Sequence, residues 1–390
     1  MKAVVWHGVG DIRLDEVPEP KLEQPDDAIV RLTVSAICGT DLHMVRGTMA
    51  GMVPGTILGH EGVGVVEEVG TQVRNLRRGD RVVIPSTICC GTCNYCRAGY
   101  TAQCDVANPH GKTAGTAFFG GPQNTGPFPG LQARYARVPY ASANLVPLPD
   151  MVTDEQAIML SDIFPTGWFG AKLAEVTPGD TVAVFGCGPV GQFAIASARH
   201  LGAGRVIAVD GVADRLELAR AQHAEVVDYH AEDPVEVIRE LTRGSGVDRV
   251  IDAVGVDAES PEGPRSEEVE SVAEEGVAQE WGPGGAPSQA AQWSVEAVAK
   301  AGTIGIVGVY PPQLSVFPIG AAMNKNLTIN MGNCNHRTYL PELLDLTLTG
   351  VIDPLAVLTQ YEPASDAIEA YRVFGQRTEG WMKVALDPAA

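Results

Sequence analysis

Two textures of hydrophobic and polar positions divide the chain. Through residue 150, short apolar runs such as 28–35 (AIVRLTVS), 62–69 (GVGVVEEV) and 80–84 (DRVVI) are separated by glycine and proline, which predicts a β-rich first half. From about residue 177 the pattern changes: TVAVFG leads into GQFAIASARHLGA and then RVIAVD, a strand, a glycine turn, an apolar helix and a second strand. Strands alternating with helical patterns predict βαβ units and a parallel sheet.

Between residues 257 and 292 the alternation breaks. Pro, Gly, Ser and Glu dominate there and Arg265 is the single basic residue, a composition that predicts an exposed acidic insertion. Alternation resumes with GTIGIVGVY, a glycine-broken apolar run read as a buried strand. Helices are expected at 339–349, ended by Gly350, and at 364–374. The segment after residue 331 is too short to fold alone. The expected organisation is therefore a first domain of 1–163 completed by 332–390, and a second domain of 164–331.

A chain of 390 residues suits two domains. Its 45% hydrophobic and 19% charged residues are those of a globular enzyme. The net charge of -20 argues against nucleic acid, whose phosphates that field repels. No apolar run approaches the roughly 18 to 20 residues of a membrane span, and the N-terminus lacks the order of a signal peptide. A cytoplasmic location is expected, where the eight cysteines would be metal ligands or buried thiols rather than disulfides.

Four of them stand in CGTCNYCRAGYTAQC: Cys90, Cys93, Cys96 and Cys104. Crowded thiolates with glycines between them can wrap a tetrahedral zinc with no open position, a structural site. An iron–sulfur cluster or four free thiols are the alternatives, and Cys89 is the bystander. Cys38 (ICGTDLH) and His60 (LGHEG) fall at strand ends or in the turns after them. Each alone is more often packed than ligated, but Asp41 could orient an imidazole, Thr40 offers a hydroxyl, and His43 could carry a proton outward.

Gly186, Gly188 and Gly191 form G-C-G-P-V-G, with Pro189 and Val190, after the strand TVAVF and at the start of an apolar helix. That context is what a pyrophosphate needs: a tight turn and close approach to a helix N-terminus. Asp210 ends the next strand, where a carboxylate accepts ribose hydroxyls and favours NAD over NADP.

Together, CGTDLH, GHE, the four-cysteine loop and the glycine turn resemble the zinc-dependent alcohol dehydrogenases of the medium-chain dehydrogenase/reductase superfamily, over nearly the whole chain. The resemblance implies a Rossmann doubly wound parallel-sheet domain, a β-rich GroES-like catalytic domain, two zinc ions per chain, NAD, a small alcohol or aldehyde substrate, and a homo-oligomer, tetramer or dimer, with the strand at residues 303–310 as the subunit edge. Within that family, LSDIFPTGW (160–168) is similar to the glutathione-independent formaldehyde dehydrogenase-like subgroup. That similarity implies Asp162 as third ligand of a catalytic zinc beside Cys38 and His60; read on its own, Asp162 could equally cap a helix. It further implies that Thr40 bonds the substrate oxygen, His43 ends a proton relay, Glu61 lies near the zinc, Thr166 lies beside the nicotinamide, and Arg215 helps bind the adenosine ribose.

Formaldehyde oxidation or dismutation with retained NAD, polyol oxidation, and a non-enzymatic zinc module are the rival readings; the last leaves Cys38, His60 and the glycine turn unexplained. Cys334 and His336 (NCNH) read as a pocket wall or a surface turn and receive no role. Trp168, Met44 and Phe118 fit a substrate pocket or the core equally, and His7, His110, His200, His223 and His230 read as surface residues.

Overall fold

The strand, glycine, helix texture after residue 177 folds into a six-stranded parallel sheet. The computed structural model of the chain describes residues 1–111, 115–265, 267–268, 285–311, 314 and 316–390. In it the sheet runs Glu225–Asp228, Arg205–Asp210, Thr181–Phe185, Val247–Asp252, Val298–Ile306, Thr328–Met331, with every neighbouring pair parallel. Numbered along the chain, that order is 3-2-1-4-5-6, a doubly wound dinucleotide-binding sheet. Both faces are covered, which is why TVAVF is apolar throughout. Val182 and Val184 pack with Ala194 and Ile195 of the helix Pro189–His200, while Ala183 and Phe185 pack with Ile238 and Val295 on the other face.

The strand through GTIGIVGVY differs from its reading in two ways. It spans Val298–Ile306, because the Val307 and Gly308 N–H groups turn back to donate to Asp252 O at 3.0 and 2.9 Å. It is also interior, paired on both sides, so the sheet edge is Thr328–Met331 and not residues 303–310. The mixed polarity of TINM hid that edge strand. Of the expected insertion, residues 266 and 269–284 lie outside the described residues. Its last part is no exposed excursion: residues 286–291 are buried, and the helix Gln289–Ala297 begins among them. The Arg265 guanidinium donates to Ser288 Oγ, Gln292 Oε1 and Gln289 Oε1 there.

These strands belong to one compact unit, Thr166–Asn333; the other comprises Met1–Pro165 and Cys334–Ala390. In the second of these, Ala28–Ile37 is the central strand of a seven-stranded sheet. It pairs antiparallel with Gly62–Val69, Tyr135–Val138 and the C-terminal strand Val384–Asp387. Val30, Leu32, Val66, Val82 and Ile84 bury one face against Phe119 and Leu131. Among the described residues, no helix is long and apolar enough to cross a membrane.

Candidate active site

The four-cysteine loop closes on itself. Its Sγ–Sγ separations include 3.4 Å for Cys93–Cys96, 3.9 Å for Cys93–Cys104 and 4.0 Å for Cys90–Cys96. Four sulfurs about 2.3 Å from a central zinc stand about 3.8 Å apart, whereas a disulfide brings sulfurs to about 2.05 Å. The spacing is that of a metal site. Backbone amides converge on the sulfurs: Cys93 N–H donates to Cys90 Sγ and Ala107 N–H to Cys104 Sγ, both at 3.3 Å. Burial opposes ionisation of Cys90, but donation by Thr92 and Cys93 outweighs it and lowers the thiol to about 7. Cys89 adjoins the set; its thiol, together with burial, pushes Cys96 up. The backbone of Cys89 is held at both ends by the Asn144 amide.

The second cluster is built by Asp41. Cys38 precedes the helix Gly39–Arg46, and its backbone N–H donates to Asp41 Oδ2 at 3.0 Å. The other oxygen of Asp41 is 3.1 Å from His60 Nδ1, which aims His60 Nε2 away from the helix. Nε2 meets Asp162 Oδ2 at 3.4 Å, and Cys38 Sγ meets the same oxygen at 3.5 Å. Asp162 follows the helix Asp154–Ser161. One donor atom from each of Cys38, His60, Glu61 and Asp162 falls within 4.8 Å of the others, and all four residues are buried. The Phe118 ring stands edge-on to His60 at 6.2 Å.

The electrostatics of this cluster point to a cation. Burial, and then the Asp162 charge, push the Cys38 thiol up. Burial would also raise Asp162, but His336 and His60 hold its carboxyl well below the usual carboxylate range. Burial brings Glu61 to about 7 even though the Lys383 ammonium opposes the rise. Among the described residues Glu61 Oε2 has no hydrogen-bond partner. Three acidic groups and an imidazole converging out of water, with a carboxylate oxygen unsatisfied, are the donor set that a divalent cation completes.

Thr40 and His43 lie on the helix Gly39–Arg46, the first half-buried and the second buried. Thr166 is on the helix Ile163–Leu173. Of the two readings of NCNH, the surface turn fails: His336 is 3% exposed, and its Nε2 is 2.6 Å from Asp162 Oδ1. Lys383 was also missed; it is fully buried against Glu61. So were Gln132, which donates to Asp41 Oδ2 at 3.4 Å, and Tyr371, whose hydroxyl donates to Gln132 Oε1 at 2.8 Å. In sequence, a lysine amid WMKVAL is the one signal, since a cation in an apolar strand end asks for a buried partner. Trp168, Met44 and Phe118 are all buried. His110, His200, His223 and His230 are not buried.

The glycine turn has the geometry its spacing implies. Gly186 adopts φ +85°, and a Cβ on Gly191 would fall 1.8 Å from Gly186 O, so the two backbones touch. Gly188 and Pro189 open the helix Pro189–His200, with Val190 in its first turn. Asp210 accepts from Cys187 N–H at 2.7 Å, Gly211 N–H at 2.8 Å and Val212 N–H at 2.9 Å. Arg215 Nη1 lies 3.9 Å from Asp210 Oδ2.

A doubly wound sheet with this turn, a four-thiol site and a buried thiol, imidazole and carboxylate site define a zinc- and dinucleotide-dependent oxidoreductase. The alcohol dehydrogenase GroES-like domain family matches residues 24–150 and the zinc-binding dehydrogenase family matches residues 189–264. AdhB of Bacillus subtilis, an uncharacterized zinc-type alcohol dehydrogenase-like protein, is 40% identical over the full length of both chains. A glutathione-independent formaldehyde dehydrogenase of Pseudomonas aeruginosa is 40% identical over 66% of each chain. Among solved structures, the alcohol dehydrogenase TADH of Thermus sp. ATN1 superposes with a TM-score of 0.82 at 33% identity, covering 99% of each chain. The chain belongs to the zinc-type alcohol dehydrogenases of the medium-chain dehydrogenase/reductase superfamily. It is a zinc-dependent alcohol oxidoreductase that uses NAD, with a structural zinc site of four cysteines and a catalytic site at Cys38 and His60.

Proposed function

We propose that Cys38, His60 and Asp162 hold the catalytic zinc, with Glu61 beside it, and that alcohols and aldehydes or ketones are interconverted there. The observation that carries this reading is the convergence of the four buried donor groups, with Glu61 Oε2 unpartnered among the described residues. When bound, zinc supplies the Lewis acidity that lowers an alcohol's pKa, and NAD supplies the hydride acceptor. The chain's part is to position the substrate and move a proton. Thr40 bonds the substrate oxygen, and His43, three residues along the same helix, passes the proton outward. Thr166 lies beside the nicotinamide. Gly186, Gly188, Pro189, Val190 and Gly191 take the pyrophosphate at the helix N-terminus. Asp210, whose Oδ2 accepts one amide bond and keeps room for a second donor, takes a ribose hydroxyl, with Arg215 alongside.

The relative from Pseudomonas aeruginosa supports a finer reading of substrate. Hydrated formaldehyde is a gem-diol and offers the same kind of hydroxyl, so formaldehyde dehydrogenase chemistry, or dismutation with NAD retained, fits the site. A panel of alcohols, polyols and aldehydes including formaldehyde, followed by NADH absorbance and, for formaldehyde, by formate and methanol formation, with and without added NAD, tests this. Turnover of simple alcohols that needs added NAD is expected for a conventional alcohol dehydrogenase. Formaldehyde turnover without added NAD favours retention, and no NAD-linked turnover of any substrate overturns the proposal.

We further propose a homo-oligomer, dimer or tetramer, joined at the Thr328–Met331 edge. There Met331 and, on the helix Ile319–Asn324, Ile319 and Met323 are exposed apolar side chains. We also propose a cytoplasmic location, where the four-cysteine loop keeps the reduced thiols a metal site needs.

A further inference from the structure

We propose that His336 is a positioning residue of the catalytic centre: its Nε2 engages Asp162 Oδ1, so the carboxylate presents a single oxygen, Oδ2, to the metal site shared with Cys38 and His60. The proposal rests on the reading of Asp162 as a zinc ligand.

The geometry divides the two oxygens of Asp162 between two tasks. Oδ1 is 2.6 Å from His336 Nε2, while Oδ2 faces Cys38 Sγ at 3.5 Å and His60 Nε2 at 3.4 Å. At 2.6 Å a bare ring nitrogen and a carboxylate oxygen would repel through their lone pairs, so Nε2 carries the hydrogen and donates. The other ring nitrogen, Nδ1, is 3.0 Å from the Thr87 hydroxyl. Both edges of the imidazole are therefore held, and the residues around it are pinned as well. Asn335 Oδ1 accepts from Ala102 N–H at 3.0 Å, Arg337 donates to Ala143 O at 2.8 Å and Thr338 to Gly99 O at 2.9 Å. The start of the helix His336–Leu348 is thus fastened to the cysteine-lobe region and its flanks, and His336 cannot swing away from Asp162.

A carboxylate with two unengaged oxygens can chelate a metal through both and use up the position a substrate needs. One whose Oδ1 is already bonded offers one oxygen. With Cys38 and His60 that gives three protein ligands; Glu61, tied through Oε1 to Lys383, stands beside them, and the fourth place stays open as a catalytic zinc requires. Partners that orient a ligand in this way are worth about 10–100-fold in metal affinity.

Cobalt(II) titration of the metal-free protein tests the proposal, because the visible bands of cobalt report coordination at each site independently of turnover. His336→Ala is expected to weaken cobalt binding at the Cys38 site by about 10–100-fold and to shift its d–d bands. Binding at the Cys90 site should be unchanged. His336→Gln, whose amide nitrogen can stand where Nε2 stands, should recover most of the loss. Asp162→Ala separates the two levels. If it leaves the Cys38-site bands and affinity unaltered, Asp162 is not a ligand and the reading beneath the proposal fails. If Asp162→Ala weakens binding and His336→Ala does not, the positioning role alone is overturned. Should His336→Ala fail to fold, Thr87→Val releases the ring without opening a cavity. A smaller loss of the same sign then supports the proposal, and an unchanged site overturns it.

Discussion

The Nζ of Lys383 lies 2.5 Å from Glu61 Oε1, with both side chains fully buried, and the same ammonium donates to Ile37 O at 3.0 Å. Removing one member of such a pair strands the other charge out of water at a cost of about 3–5 kcal/mol. Lys383→Met should therefore lower stability by a large part of that amount. Glu61→Gln combined with Lys383→Met should recover part of it. Denaturant unfolding of the two single variants and the double variant reads the coupling, and additive effects would mean that the pair does not act as a unit.

Cys104→Ser should release one zinc per chain and lower the melting temperature. The sulfurs of Cys90, Cys93 and Cys96 would otherwise remain crowded at separations of 3.4 to 4.0 Å with an incomplete tetrahedron. Zinc analysis alongside thermal unfolding checks this; a variant that keeps both its zinc content and its melting temperature would remove the structural role.

Gly191 and Gly188 should respond differently to alanine. A Cβ at Gly191 meets Gly186 O at 1.8 Å and must open the turn, whereas at Gly188 it meets Arg215 Nη1 at an ordinary 3.6 Å. Gly191→Ala is expected to destabilise the protein by at least about 1–3 kcal/mol and to weaken NADH binding severely. Gly188→Ala should leave stability near that of the wild type. Thermal unfolding and NADH fluorescence titration separate the two outcomes.

Asp180 gives a pH-dependent test. It accepts from Thr177 N–H at 2.8 Å, the Thr177 hydroxyl at 2.9 Å and Arg249 Nε at 2.9 Å. Burial works against ionisation, but these donors hold its pKa below 3.8. Its folded value lies under its unfolded one, so the contribution is present in full above about pH 4 and fades as pH falls through the folded value. Asp180→Asn should cost about 1 kcal/mol at pH 7, and the gap from wild type should narrow below about pH 4. A gap that stays constant with pH would contradict this.

What could be read from the chain follows from how far apart the interacting residues lie. The four cysteines fall within fifteen residues, and the glycine turn joins a strand directly to its helix, so both sites leave a local spacing to recognise. His336 meets Asp162 across 174 residues, and Lys383 meets Glu61 across 322. Neither pair leaves a periodicity or a spacing, and only the folded chain brings them together. Asp162 stands between these cases: nothing local distinguishes it from a helix cap, and only resemblance to a subgroup picked it out. The edge strand Thr328–Met331 was hidden for another reason. An edge needs only one buried neighbour, and TINM carries too little apolar pattern to stand out beside GTIGIVGVY.

Zinc content and NAD-linked alcohol oxidation, measured together on wild type, Cys38→Ser and Asp162→Ala, test most directly whether these buried donors form the catalytic centre. Two zinc ions per chain are expected for wild type. Each variant should retain about one, at the cysteine loop, and lose at least about 10³-fold in kcat, a loss of some 4 kcal/mol of transition-state stabilisation. An Asp162→Ala protein that kept two zinc ions and full turnover would contradict the assignment.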